Sequence, residues 1–145
     1  MTVRFFLVRH GKAEGQASSD AARRLTAEGR DAFAAHARAN APRLPVSRIV
    51  TSPLVRARET AALLGVVTGA PVEEDDALAS GASSGRGVLA LGARLGAGAA
   101  LVGHNPEFAE AIAIAAGKGE EVRPGAIAAI DVDGASYRLG WLAQP

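Results

Sequence analysis

Apolar residues in this chain fall into short continuous runs, and between the runs they recur at every third or fourth position. Val3 to Val8 is the first run, interrupted only by Arg4 and rich in side chains that suit a buried strand. The polar, glycine-containing stretch from Gly11 to Ala21 reads as a surface loop. Thr26 stands where an N-cap belongs, ahead of a helix to about Asn40 that Pro42 and Pro45 end. Arg48 to Thr51 predicts a short strand. Ser52-Pro53 reads as a cap followed by proline at the first helical position, opening a helix to Val67 that Thr68, Gly69 and Pro71 stop. Val72 to Glu74 predicts a further short strand.

The second half continues the alternation. Ala79–Gly87 is rich in glycine and serine and reads as a loop, after which Val88, Leu91 and Leu95 recur at helical spacing. Ala99 to Val102 is a strand. Asn105-Pro106 repeats the cap-then-proline start, with Phe108, Ile112 and Ala115 on one face of the helix that follows. Two last extended runs, Ala126–Val132 and Ser136–Trp141, flank Asp133-Gly134, a hairpin signal. This order predicts an α/β fold: a three-layer α/β/α sandwich whose mostly parallel sheet gains an antiparallel strand from the C-terminal hairpin. With 145 residues, no internal repeat and no linker, residues 1–145 are expected to form a single domain.

Composition narrows the function by exclusion. A net charge of +1, with the basic residues scattered, gives no expectation of a nucleic-acid partner. The absence of cysteine excludes disulfides, thiolate metal sites and cysteine nucleophiles. Three histidines without neighbouring acidic residues at ligand spacing lead to an expectation of no metal and no cofactor. The apolar run at residues 3–8 is too short and too charged for a signal peptide or a membrane span, so a cytoplasmic protein without a membrane partner is expected.

Candidate chemistry collects at the strand ends. Arg9-His10 follows the first strand, Arg56 lies in the first turn of the helix after Arg48–Thr51, and His104 follows Ala99–Val102. In an open parallel sheet the carboxyl ends of the strands share one edge, where ligands bind. Two of these positions adjoin helix starts, whose free N–H groups favour anions. Arg56 opposes the dipole of its own helix, which points to a role other than stability. Two arginines and two histidines on one edge suit a doubly charged phosphoryl group, because guanidinium donors match its oxygens. His36, in mid-helix, reads as a surface residue.

These residues carry a family resemblance. Leu7-Val8-Arg9-His10-Gly11 resembles the opening motif of the histidine phosphatase superfamily, which includes cofactor-dependent phosphoglycerate mutases and acid phosphatases. Ser52-Pro53-Leu54-Val55-Arg56-Ala57-Arg58-Glu59-Thr60 is similar to its second motif and Gly103-His104-Asn105-Pro106 to its third. Within the superfamily the chain resembles the short phosphohistidine phosphatases of the SixA type, sharing their length and an Asp-x-x-Arg-x-Leu-Thr segment, here Asp20 to Thr26.

The resemblance implies that His10 attacks phosphorus as a neutral imidazole, its other nitrogen held by an acceptor such as a backbone carbonyl. Arg9 and Arg56 would bind the equatorial oxygens, and a protonated His104 would complete the cradle. Gly11, Asn105 and Arg23 are further substrate-binding candidates, although Arg23 reads equally well as a surface salt bridge to Asp20. Many relatives place a glutamate after the second motif's helix as general acid. Here Ala79-Ser80-Gly81 stands in that place, beyond the acidic run Glu73-Glu74-Asp75-Asp76, with Glu14 or Asp76 as alternative donors. Without such an acid, imidazole (reference pKa about 6.5) leaves far more easily than an alkoxide. The expected substrate is therefore phosphohistidine on a signalling or phosphotransfer protein, for instance a histidine phosphotransfer domain. A small-molecule phosphomonoester and a non-catalytic phosphate-binding module are the alternatives.

Overall fold

The alternation of runs and periodic stretches becomes six strands and four helices in the computed structural model, which describes all 145 residues, Met1–Pro145. In chain order they are β1 (Val3–Arg9), α1 (Ala27–Asn40), β2 (Arg48–Thr51), α2 (Val55–Thr68), β3 (Val72–Glu74), α3 (Gly85–Leu95), β4 (Ala99–Gly103), α4 (Glu107–Ala116), β5 (Ile127–Asp133) and β6 (Ser136–Ala143). The six strands form one sheet in the order β3-β2-β4-β1-β5-β6. The pairings from β3 to β1 are parallel, whereas β5 is antiparallel to both β1 and β6. Only β5 therefore runs against the rest, and the α/β sandwich with one reversed strand stands as read.

Side-chain alternation on the central strand divides the core into two layers. Phe5 and Leu7 of β1 pack with Val88 and Leu89 of α3 and with Phe108 and Ile112 of α4. Phe6 and Val8 face the other way, onto Phe33 and Ala37 of α1 and Ala57, Ala61 and Leu64 of α2. Both faces of β1 are thus buried, which is why its sequence is a continuous apolar run. No helix is long and apolar enough to cross a membrane.

Local signals set some boundaries and mislead at others. Thr26 caps α1 as expected, its Oγ accepting from the Gly29 N–H at 2.9 Å. The two cap-then-proline readings fail: α2 starts after Leu54 and α4 after Pro106, so neither Ser52 nor Asn105 is a helix cap. The α3 helix begins at Gly85, inside the expected loop, because Ser84 accepts from the Gly87 N–H. The hairpin turns through Gly134 and Ala135, with Asp133 paired to Ser136 as the last strand position. Gly134 there has φ +61°, which glycine adopts without strain. Within the loop after β1, a turn of 3-10 helix spans Asp20–Ala22. The start of that loop lies so close to α1 that a Cβ on Gly29 would sit 2.3 Å from the Lys12 carbonyl oxygen.

Candidate active site

The register of the sheet brings the chemistry together. β1 and β4 are paired with Arg9 opposite Gly103, and β2 and β4 with Thr51 opposite Val102. Beyond these pairs the ladder continues into the turns: the His10 N–H reaches the Gly103 carbonyl at 3.0 Å and the Ser52 N–H reaches Val102 at 2.9 Å. Three strands consequently end flush, and His10, Ser52 and His104 emerge side by side. The two imidazoles lie 5.1 Å apart, tilted by 55°.

The two rings are tethered through opposite nitrogens. His10 Nδ1 is 2.7 Å from the Gly11 carbonyl oxygen, an acceptor, so Nδ1 donates and the neutral ring keeps its lone pair on Nε2. His104 is held instead through Nε2, 2.7 Å from Ser52 Oγ, and its buried Nδ1 has no partner in the protein. Burial pushes the His10 imidazole down to about 4, opposed by the Gly11 bond and reinforced by the charges of Arg56, Arg9 and Arg23. Burial likewise takes His104 down to about 3, helped by His10, Arg56 and Arg9, while Asp20 works the other way. With no anion bound both rings are neutral at physiological pH, and the protonated His104 expected from the resemblance is corrected for that state. A doubly negative ligand beside it would raise its pKa and favour the charged form.

Arg9 and Arg56 are held by different parts of the chain. Arg9 donates through Nη1 to the Val122 carbonyl at 2.9 Å, and burial lowers its pKa. Arg56, 4 % exposed, uses Nη1 and Nη2 on the main-chain carbonyl and carboxylate of Asp20. Each guanidinium keeps a buried Nε without a protein partner. Buried side-chain polar atoms lacking a partner number four in the molecule: Arg9 Nε, Arg56 Nε, His104 Nδ1 and Asn105 Oδ1. A buried donor left unpaired costs about 1–3 kcal/mol. The molecule concentrates that cost in the motif residues at one sheet edge, which is how a site prepared for an anion should look.

Of the remaining candidates, Gly11 and Asn105 take parts other than phosphate binding, and Arg23 takes one of the two parts expected of it. Gly11 has no donor to offer a ligand, since its N–H goes to Thr60 Oγ1 at 3.1 Å and its carbonyl holds His10. Its service to the site is to fix the imidazole. Asn105 gives its Nδ2 to the Val122 carbonyl at 3.0 Å, so the unpaired Oδ1 is an acceptor and suits a proton-bearing group, not a phosphoryl oxygen. Arg23 does make the ion pair with Asp20, at 3.0 Å, and its Nε donates to the Glu14 carbonyl. His36 is half-buried and not a free surface residue, with Nε2 3.0 Å from the Ala143 carbonyl oxygen.

The carboxylates considered as proton donors are engaged elsewhere or exposed. Glu73 pairs with Arg48, Asp75 accepts from Ala77 N–H, and Glu14 accepts from Arg24 N–H at 3.2 Å. Asp76 is exposed, in the 3-10 turn after β3. Glu107, buried three residues beyond His104, spends an oxygen on the Gly81 N–H at 2.9 Å and ties down the loop in question. Sequence reasoning overlooked Ser52, Thr60 and the Val122 carbonyl, whose contacts with the site join residues at least 17 positions apart. The second motif begins at Ser52 and ends at Thr60, but only the fold shows what their hydroxyls bind.

Comparison with known proteins agrees with this geometry. The profile of the histidine phosphatase superfamily (branch 1) matches residues 5–82. The chain belongs to that superfamily and is a phosphatase. Among solved structures it is similar to a protein assigned as the phosphohistidine phosphatase SixA of Agrobacterium tumefaciens, with 23% identity, coverage of 99% and 98% of the two chains and a TM-score of 0.86. It is likewise similar to the protein histidine phosphatase SixA complexed with tungstate, at 24% identity, 98% and 97% coverage and a TM-score of 0.86. A third similar structure is assigned as SixA of Nakamurella multipartita, with 26% identity, coverage of 100% and 97% and a TM-score of 0.80. No curated protein sequence matches.

Proposed function

We propose that this single domain removes phosphoryl groups through a covalent intermediate on His10, with phosphohistidine on a partner protein as its substrate. The observation that carries the reading is the set of unpaired buried nitrogens, the donors Arg9 Nε and Arg56 Nε together with His104 Nδ1, beside an imidazole whose other nitrogen is already committed. His10 Nε2 attacks phosphorus, the P–N bond breaks as the substrate ring, protonated from solvent at its other nitrogen, leaves as neutral imidazole, and the phosphoryl group rests on His10 until water displaces it. Arg9 and Arg56 hold the equatorial oxygens as charge spreads over them, and His104 adds a third donor. The depressed pKa of His10 keeps it unprotonated, and so nucleophilic, through the neutral range.

The choice of phosphohistidine rests on the leaving group. Imidazole departs without strong proton donation; Glu14 and Asp75 accept backbone N–H groups, Glu73 pairs with Arg48, and Asp76 is exposed. The SixA-type proteins that resemble this chain over nearly their full length are phosphohistidine phosphatases by assignment, which supports the same substrate class. A histidine phosphotransfer domain is a partner of suitable chemistry. The test compares hydrolysis of a phosphohistidine-bearing protein with a panel of sugar and nucleotide monophosphates. Faster turnover of the monophosphates assigns the enzyme to small phosphomonoesters. Failure to release phosphate from any of them, with phosphoprotein still bound, makes the chain a binding module.

A further inference from the structure

Arg56 is gripped along one edge only. Its Nη1 donates to the Asp20 carbonyl oxygen at 2.8 Å and its Nη2 to Asp20 Oδ2 at 3.2 Å, which together occupy the end of the guanidinium fork. The opposite edge, made by Nε–H and the second hydrogen of Nη2, is free, and Nε is buried without a partner. A guanidinium binds an oxyanion well through either edge, so the clamp decides which edge the pocket receives. Glu59, one turn further along α2, does not compete for this role, since its oxygens accept from the Leu25 N–H and from Arg30.

Asp20 is in turn held from the other side. Its Oδ1 accepts from Arg23 Nη1 at 3.0 Å, and Arg23 Nε is anchored 2.6 Å from the Glu14 carbonyl oxygen. Ser19 caps the 3-10 turn that carries Asp20, its Oγ accepting from the Ala22 N–H at 3.2 Å. The carboxylate stays ionised because its bond to Arg23 holds it below the usual range, with Arg56 reinforcing the effect. It is therefore an acceptor at neutral pH and not a proton donor. It is also the exposed member of the group, with 63% of its side chain open against 5% for that of Arg56.

We propose that Asp20 is a positioning residue: bridging Arg23 and Arg56, it fixes the rotation of the Arg56 guanidinium so that the Nε edge meets the transferring phosphoryl group. Two physical effects of removing the carboxylate oppose each other. Loss of a negative charge beside the pocket strengthens its attraction for any anion, whereas loss of the Oδ2 contact leaves the guanidinium held by the main-chain carbonyl alone, free to turn about that one bond, and weakens the hold on a geometrically demanding anion. Of the two effects, loss of the clamp is the larger. It rests on the reading of Arg56 as a phosphoryl-binding group.

The experiment measures vanadate affinity and the split of kcat and KM in the full chain. Asp20→Ala is expected to weaken vanadate by about tenfold, the size of one charge-assisted hydrogen bond, and to lower kcat more than it raises KM. Asp20→Asn keeps an acceptor and should stay within about threefold of the wild type. Asp20→Ser, too short to reach Arg56, should behave as alanine does and serves if the alanine variant misfolds. On an Arg56→Lys background, Asp20→Ala should add little, because the two changes remove the same interaction. Unchanged or tighter vanadate binding in Asp20→Ala, or an asparagine variant as weak as alanine, overturns the positioning role and leaves the phosphatase reading intact. Full additivity with Arg56→Lys overturns it too. A wild type that does not bind vanadate overturns the phosphoryl-site reading itself, and this inference with it.

Discussion

The ends of β1 and β4 are neighbours in the sheet, each carries a buried histidine, and the two are prepared in opposite senses. At the end of β1, His10 is fixed through Nδ1 by the carbonyl of the very next residue, leaving Nε2 as a free lone pair. At the end of β4, His104 is fixed through Nε2 by Ser52, from the turn after β2, leaving Nδ1 unpaired. In the proposed mechanism one ring gives electrons to phosphorus and the other gives a hydrogen bond to its oxygens. Burial does the same to both, pushing each well below the ordinary histidine value. What separates them is the nitrogen that is tied and the distance in sequence of the group that ties it.

The sharpest break of this comparison is His10→Ala. Removing a nucleophile should cost at least about 10⁴-fold in kcat, since the remaining donors cannot replace a covalent step. Acid-labile phosphoenzyme, trapped by rapid quench, should vanish with it. A variant with near-normal turnover would show that the attack occurs elsewhere. His104→Ala should cost less, about 10²–10³-fold, as expected for one stabilising donor, while phosphoenzyme still accumulates. Equal losses in the two variants would erase the division of roles.

How much of this arrangement is legible in the sequence depends on the span of each contact. The apolar run of β1 and the cap on α1 can be read directly, because strand alternation and the Thr26-to-Gly29 bond are local. The strand-end positions of His10, Arg56 and His104 follow once the sheet is known to be parallel. The two misread cap-then-proline starts have one cause. Ser52 and Asn105 look like caps, but Ser52 Oγ bonds to His104, 52 residues away, and Asn105 to Val122, 17 away. His36 is another instance, its partner Ala143 lying 107 positions along the chain. Residue types at helix starts announce a hydrogen-bonding group, and only the tertiary fold decides what it binds.

Stability against pH sharpens the shared half of the comparison. Both histidines have folded values, about 4 and about 3, below the unfolded value of about 6.5. Between these limits the unfolded chain binds more protons, so stability is complete above pH 6.5 and declines as the pH falls towards 4. Each histidine should contribute a slope of up to about 1.4 kcal/mol per pH unit. Urea unfolding at pH 7, 6 and 5 measures the slope, and His10→Ala or His104→Ala should each remove one share. A flat profile in the wild type would mean that the rings are not held neutral. Saturating tungstate should flatten the His104 share, because a bound dianion favours its protonated form.

The smallest effect tests the opposed half. Ser52 is fully buried, and its Oγ accepts from the Leu54 N–H at 3.2 Å while lying 2.7 Å from His104 Nε2. With one lone pair of Oγ taken, the hydroxyl hydrogen is available to point at Nε2, and that arrangement keeps the proton of the neutral ring on Nδ1, facing the proposed phosphoryl position. Ser52→Ala removes the director without touching either histidine. The ring is then free to exchange tautomers and to rotate, and one hydrogen bond's worth of order is lost. A fall of about three- to tenfold in kcat/KM is expected, with no change in phosphoenzyme formation by His10 beyond that factor. The tautomer itself is visible in the nitrogen chemical shifts of His104, where the protonated site should move from Nδ1 towards Nε2. A shift in the His10 signals instead would place Ser52 on the wrong ring. If the pattern of both rings stays as in the wild type, the tether through Nε2 does not set the tautomer, and the contrast between the two strand ends reduces to burial alone.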